Sequence, residues 1–204
     1  MPESITHEIQ GEPYDLLLHQ RYTRCLFAFQ NALDIIISHL NEENTALILL
    51  GDYIHGGKEN AAVLDKIMEL QNRYGSGKSL PAGNHEELVC EGMASVDACG
   101  TGSGDDDRYV SWLRGLPRYH AAGKTIFVHA GIDEEAEDLW KYGTMDHIFM
   151  EKYPAQTGHF FEDYKIVAGH ISTSAIAEDP HFHGIYLTAV LTIILMRIRW
   201  RLAS

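Results

Sequence analysis

From Leu26 onward, apolar residues recur at Leu26, Phe29, Leu33, Ile36, Ile37 and Leu40, with Asn41 close behind. Steps of three and four place these positions on one face of a helix that ends near Asn41. The unbroken apolar run at 46–50 reads as a core strand. Residues 60–74 return to the helical period, with Val63, Ile67, Leu70 and Tyr74 on one face. Short strands are expected at Thr125–Val128 and Lys165–Ala168, and a short helix over 109–116 closed by Pro117. Leu16-Leu17-Leu18 reads as a further short strand, and residues 1–15, which contain Gly11 and Pro13, as coil. Gly, Ser and Asp crowd residues 92–107, as in a surface loop. Strands alternating with helices predict an α/β fold, and the absence of internal repeats favours a single domain over 1–204.

Composition narrows the partners. The 204 residues carry a formal net charge of −13, which disfavours nucleic acid or an anionic membrane because both need a basic face. The apolar run at 187–196, about ten residues, is too short to span a bilayer. Residues 1–14 are polar and acidic, unlike a secretory leader. Cys25, Cys90 and Cys99 follow no metal-ligand spacing and read as reduced thiols of a cytoplasmic protein.

The candidate chemistry lies where the apolar runs end. The strand at 46–50 leads into Gly51-Asp52-Tyr53-Ile54-His55-Gly56-Gly57, and the helix at 60–74 is followed by Gly83-Asn84-His85-Glu86. Read as two strands joined by a crossover helix, these segments bring Asp52, Asn84 and His85 to one rim of a sheet. Carboxylate, amide oxygen and imidazole together suit a hard or borderline divalent metal. Gly75-Ser76-Gly77-Lys78-Ser79 imitates a phosphate-binding loop but has Asn72 where that pattern needs glycine, and it runs from helix to strand. Asp105-Asp106-Asp107 reads as an acidic cap for the following helix, residues 133–138 as a solvated acidic stretch, and His181 and His183 as loop histidines.

Gly51-Asp52 with Gly57, Gly83-Asn84-His85-Glu86, Val128-His129-Ala130-Gly131 and Gly169-His170 together resemble four of the five signature blocks of the calcineurin-like metallophosphoesterases. They stand in family order over about 25–186, and the closest likeness is to the phosphoprotein phosphatase branch, similar to bacterial serine/threonine phosphatases. The resemblance implies an α/β sandwich with helices on the sheet faces and two divalent ions, Mn, Fe or Zn, that activate water. By the same resemblance Asp52 would bridge the ions, Asn84, His129 and His170 would complete the second site, and His85 would supply or orient a proton. The substrate would be a phosphorylated protein or small phosphoester. The alternatives are a dinucleoside polyphosphate hydrolase of the same superfamily and a remnant with impaired catalysis.

The departures are specific. The family loop Gly-Asp-x-x-Asp-Arg-Gly has His55 for its second Asp and Gly56 for its Arg, and Ala82 stands where Arg often precedes Gly83. Two phosphate-gripping forks are thereby missing. His55 is expected to take over the orienting role toward His85 or to carry charge itself. The family's first block, Gly/Ser-Asp-x-His-Gly, is also missing: Gln20-Arg21-Tyr22-Thr23-Arg24 occupies its place without a carboxylate. Codons for residues 14–24 can, one base over, spell Met-Ile-Tyr-Ser-Ser-Ile-Ser-Asp-Ile-His-Gly. Residues 187–202 permit a similar acidic rereading, while the tail as written is basic at Arg197, Arg199 and Arg201. Both ends are therefore expected to be out of frame, with the terminal strands disrupted and the apolar run at 187–196 an aggregation hazard.

Overall fold

The computed structural model describes residues 14–19, 26–40, 45–74, 78–97, 107–151, 164–171 and 193–198. The elements are β1 (Tyr14–His19), α1 (Leu26–Leu40), β2 (Thr45–Leu49), α2 (Asn60–Tyr74), β3 (Lys78–Ser79), α3 (Asn84–Cys90) and α4 (Asp107–Arg114). They continue with β4 (Tyr119–Ala122), β5 (Thr125–Val128), a 3-10 turn at Glu134–Leu139, α5 (Trp140–Gly143), α6 (Asp146–Glu151), β6 (Lys165–Ala168) and β7 (Ile193–Ile198). They form an α/β fold with two sheets, one ordered β1-β7-β2-β3 and the other β4-β5-β6. β2 and β3 run parallel, joined across α2, and β5 and β6 are also parallel.

The core explains the apolar runs. Leu47 and Leu49 of β2 and Ile126 and Val128 of β5 share one buried cluster with Phe29 and Leu33 of α1 and Val63, Leu64, Ile67 and Leu70 of α2. Ile48 and Phe127 point the other way yet are also fully buried. Strands covered on both faces need no polar alternation, hence the continuous runs. Each fully buried side chain of this kind contributes about 1.5–3 kcal/mol. No helix among the described residues is long and apolar enough to cross a membrane.

Three expectations change. Asn84 and His85 do not end a strand: β3 stops at Ser79, residues 80–83 continue without regular structure, and both side chains belong to the first turn of α3. Residues 193–196 of the apolar run, expected at an open edge, lie in β7, which is paired between β1 and β2, antiparallel to both, while 187–192 lie outside the described residues. The ladder hydrogen bonds that a loose apolar run would leave open are taken up on both sides. Tyr14 and Asp15, expected as coil, belong to β1. Residues 1–13, Cys25, Cys99, Asp105, Asp106, His181 and His183 lie outside the described residues.

Candidate metal centre

Each site residue sits just beyond a core element. Asp52 follows β2, Asn84 opens α3, His129 follows β5 and His170 follows β6. The two sheets thus meet at their strand ends, and a hydrogen bond from Gly169 N to the His129 carbonyl (2.8 Å) ties the last two segments together. Gly51 and Gly83 make the approach possible. A Cβ on Gly83 would fall 2.5 Å from Asp52 Oδ1 and 2.9 Å from His129 Cε1, and one on Gly51 would fall 2.6 Å from Gly83 N.

The backbone at the site is strained. Asp52, His55 and His170 have φ of 56°, 64° and 67°, a left-handed region costly for residues with a Cβ. His170 is the centre of a three-residue turn closed by Ile171 N to the Gly169 carbonyl at 2.8 Å. Among the described non-glycine residues only Glu137, at φ 45°, also has a positive φ without belonging to the site. Strain of about 1–3 kcal/mol per residue persists only where the surroundings over-determine it.

Glu86 supplies much of that determination. Its fully buried carboxylate accepts hydrogen bonds from Asp52 N (2.8 Å), Tyr53 N (2.7 Å) and Gly83 N (2.8 Å). Burial, with the Asp52 charge beside it, pushes the Glu86 carboxyl up to about 8, against the pull of the three N–H groups. Tyr53 adds a second clasp, its hydroxyl 2.9 Å from the Leu49 carbonyl and 2.7 Å from the Pro81 carbonyl. Neither role was read from the sequence, although a Glu three residues after Gly83 is the signature of a helix N-terminus that accepts from its own cap.

His129 is 1% exposed and its tautomer is fixed by its contacts. Nδ1 lies within hydrogen-bonding distance of the Leu50 carbonyl, which can only accept, so Nδ1 carries the hydrogen and Nε2 presents a lone pair. That lone pair faces Asp52 Oδ1 at 3.3 Å, Asn84 Oδ1 at 3.3 Å and His170 Nδ1 at 3.1 Å. Asp52 Oδ1 is itself buried without a hydrogen-bond partner. Two side-chain oxygens and a second imidazole gathered around that lone pair, with a buried carboxylate oxygen unsatisfied, form an environment that a cation completes. One donor atom each from Asp52, His129 and His170 lies within 4.8 Å of the others, a separation a single ion can bridge. Burial first, then the neighbouring His129, pulls the His170 pKa down, which favours the neutral imidazole a metal requires. The residues present therefore fit a divalent cation.

The family model of the calcineurin-like phosphoesterases matches residues 7–189. The chain belongs to that family. Its members are phosphoesterase hydrolases that depend on divalent metals, so metal-dependent phosphoester hydrolysis is this protein's class of chemistry. No curated protein and no solved structure matches the chain. Within this phosphoesterase fold the structure brings Asp52, Asn84, His129 and His170 to one point, while His55 and His85 form a separate pair. Lys78 and Ser79 lie in β3, with the helix-to-strand order that excludes a phosphate-binding loop.

Proposed function

We propose that this phosphoesterase is a phosphatase of the serine/threonine-phosphatase kind, cytoplasmic, acting on a phosphorylated protein or small phosphomonoester. The convergence of Asp52, Asn84, His129 and His170 around the orphaned Asp52 Oδ1 carries the reading. Bound divalent metal would lower the pKa of water and neutralise charge on the phosphoryl oxygens. Asp52, Asn84, His129 and His170 would hold it, and the Leu50 carbonyl keeps His129 Nε2 facing inward, a role usual for the partners of ligating histidines. His85, on the first turn of α3 beside Asn84, would give a proton to the leaving oxygen. The test is a substrate panel with added Mn²⁺: a phosphoserine peptide, p-nitrophenyl phosphate and a dinucleoside polyphosphate. Release of phosphate from the first two, lost in Asp52→Asn, supports the reading; cleavage of the dinucleoside polyphosphate alone replaces it with the other activity.

One observation favours a second reading, a protein whose first metal site is impaired. Gln20-Arg21-Tyr22-Thr23-Arg24 offers no carboxylate where the family places one. Metal analysis after dialysis separates the cases, one tightly bound ion per chain against two. Sequencing the DNA across positions 14–25 and 186–204 tests the frame: Ser-Asp-Ile-His-Gly in the neighbouring frame at the first, and the acidic rereading at the second, would each mark a frame break at that end, and any other codons make that end genuine divergence.

A further inference from the structure

Beyond His129 the chain enters a segment that turns apolar side chains outward. Of the five large apolar side chains exposed among the described residues, three fall within 139–145: Leu139 at 65%, Tyr142 at 88% and Met145 at 65%. Leu139 and Tyr142 stand three apart across α5, hence neighbours on its surface, and Met145 follows before α6. The backbone that carries them is pinned from behind. Trp140 is buried, its ring edge to face with Tyr119 at 4.8 Å between centroids. Thr144 is buried too; its hydroxyl accepts from Asp133 N, and its own N–H donates to the Trp140 carbonyl, both at 3.0 Å. With Trp140 and Thr144 inside, the other three are held in water, which favours a partner that covers them.

Charge selects the cover. Five carboxylates fall within 133–138, and Lys141 is the sole Lys or Arg of 133–146. Asp133 caps the turn by accepting from Glu135 N at 3.1 Å, and Asp146 is paired with Arg118 at 2.9 Å. Glu135, Glu137 and Asp138 are exposed, and no ion pair among the described residues takes them up. Nucleic acid and anionic lipid would be repelled, and two copies meeting through this same face would oppose like charges. The chain's own basic tail leaves β7 at the start of β2, where Arg197 pairs with Thr45, whereas Asp52 follows the opposite end of that strand. The fitting cover is a peptide with both cationic and apolar side chains.

Placement assigns that peptide to the substrate. Asp133 stands four residues after His129, so the patch begins at most about 15 Å from the metal corner. Ala130 N also donates to the Phe149 carbonyl at 2.9 Å, which ties the far end of the patch to the same segment. A phosphorylated chain lying across the metal corner reaches the patch within about five extended residues. We propose that Leu139, Tyr142 and Met145, with Glu135, Glu137 and Asp138, dock the basic, apolar flank of a phosphorylated protein substrate. The inference names the substrate class of the phosphatase reading and rests on it for turnover, whereas docking itself requires no catalysis.

Fluorescence anisotropy with a labelled peptide of alternating Arg and Leu tests docking without metal. Binding to the wild type should weaken with salt. It should fall about tenfold or more in Tyr142→Ala, and likewise when Glu135→Gln, Glu137→Gln and Asp138→Asn are combined. Equal binding of a peptide with Glu in place of Arg, or binding indifferent to both variants, overturns the proposal. With Mn²⁺, a phosphoserine peptide flanked by Arg and Leu should show a KM about tenfold below that of one flanked by Glu and Ser. Tyr142→Ala should erase that difference through KM and not kcat. An equal loss on p-nitrophenyl phosphate, too small to reach the patch, would mean a structural role and overturn the proposal. So would a wild-type dimer in sedimentation that Tyr142→Ala splits, since the face would then belong to a second copy. Peptide binding without turnover of any phosphoester would refute the phosphatase reading and leave the docking standing.

Discussion

Two pairs of histidines meet in nearly the same geometry and do different things. His129 and His170 have ring centroids 5.0 Å apart at 70°, and His55 and His85 have theirs 5.2 Å apart at 70°. The difference lies in what surrounds them. Around the first pair stand two side-chain oxygens, Asp52 Oδ1 and Asn84 Oδ1, aimed at a nitrogen whose hydrogen is already spent on Leu50. Around the second, among the described residues, the Ser95 carbonyl accepts from His55 Nε2 at 2.6 Å. Unsatisfied acceptors call for a cation, whereas a complete donor–acceptor chain needs none. The same ring contact is thus part of a candidate metal corner in one place and of a hydrogen-bonded pair in the other.

The largest expected effect separates the two pairs outright. His129→Ala should abolish metal-dependent turnover and also the rise in melting temperature on adding metal, a gain of about 2.7 kcal/mol when metal is at 100 times its Kd. His55→Phe should keep that metal-induced rise. Thermal melts with and without Mn²⁺ read this, and a metal response surviving in His129→Ala would break the comparison.

Next comes the clasp that forces Asp52 into its strained pose. Glu86→Ala leaves three buried N–H groups without an acceptor and should cost at least about 3 kcal/mol. Where the variant folds, metal affinity should fall about 10- to 100-fold, as for other groups that orient ligands. Urea unfolding and metal titration measure the two effects, and a variant with unchanged affinity would show that Asp52 holds its conformation unaided.

Tyr53→Phe is milder. It removes one hydroxyl placed between the Leu49 and Pro81 carbonyls and should cost about 1–2 kcal/mol with the metal response retained. The smallest effect belongs to a histidine outside both pairs. His120, half-buried against Phe127, has its pKa lowered by burial. The fold therefore favours its neutral ring: that stabilisation is complete above the ordinary value near 6.5 and is lost as pH falls through the lower folded value. The melting temperature should fall between pH 7 and 5 on this account, and less so in His120→Gln, which thermal melts at the two pH values check.

Helical and strand periods were legible wherever one face or both met the core. The helix at 60–74 and the strands Thr125–Val128 and Lys165–Ala168 follow the apolar pattern residue for residue, because burial is what the pattern encodes. Asp52 and Asn84 were legible too as metal-suited residues after apolar runs, while His129 and His170 were legible only through the resemblance to the family's signature blocks. The element that carries Asn84 was misread, since β3 is two residues long and too short to leave a periodic trace. The pairing of residues 193–196, within the run read at 187–196, was not foreseen because an apolar run does not name its strand partner. A strand's partner is a long-range contact, and here β1 and β2 supply it from far along the chain.

By itself the sequence determined the α/β order, the core positions and the four residues of the candidate metal corner. Local period carries the first two, and the resemblance to the family's signature blocks carries the third. Only the tertiary structure decided that Glu86 clamps the backbone of Asp52 and Tyr53, that Leu50 sets the tautomer of His129, and that Ser95 sets that of His55. Those decisions rest on hydrogen bonds between residues 3 to 79 positions apart, several of them to backbone carbonyls. A carbonyl has no side-chain identity to read, so its part in the site exists only once the chain has folded.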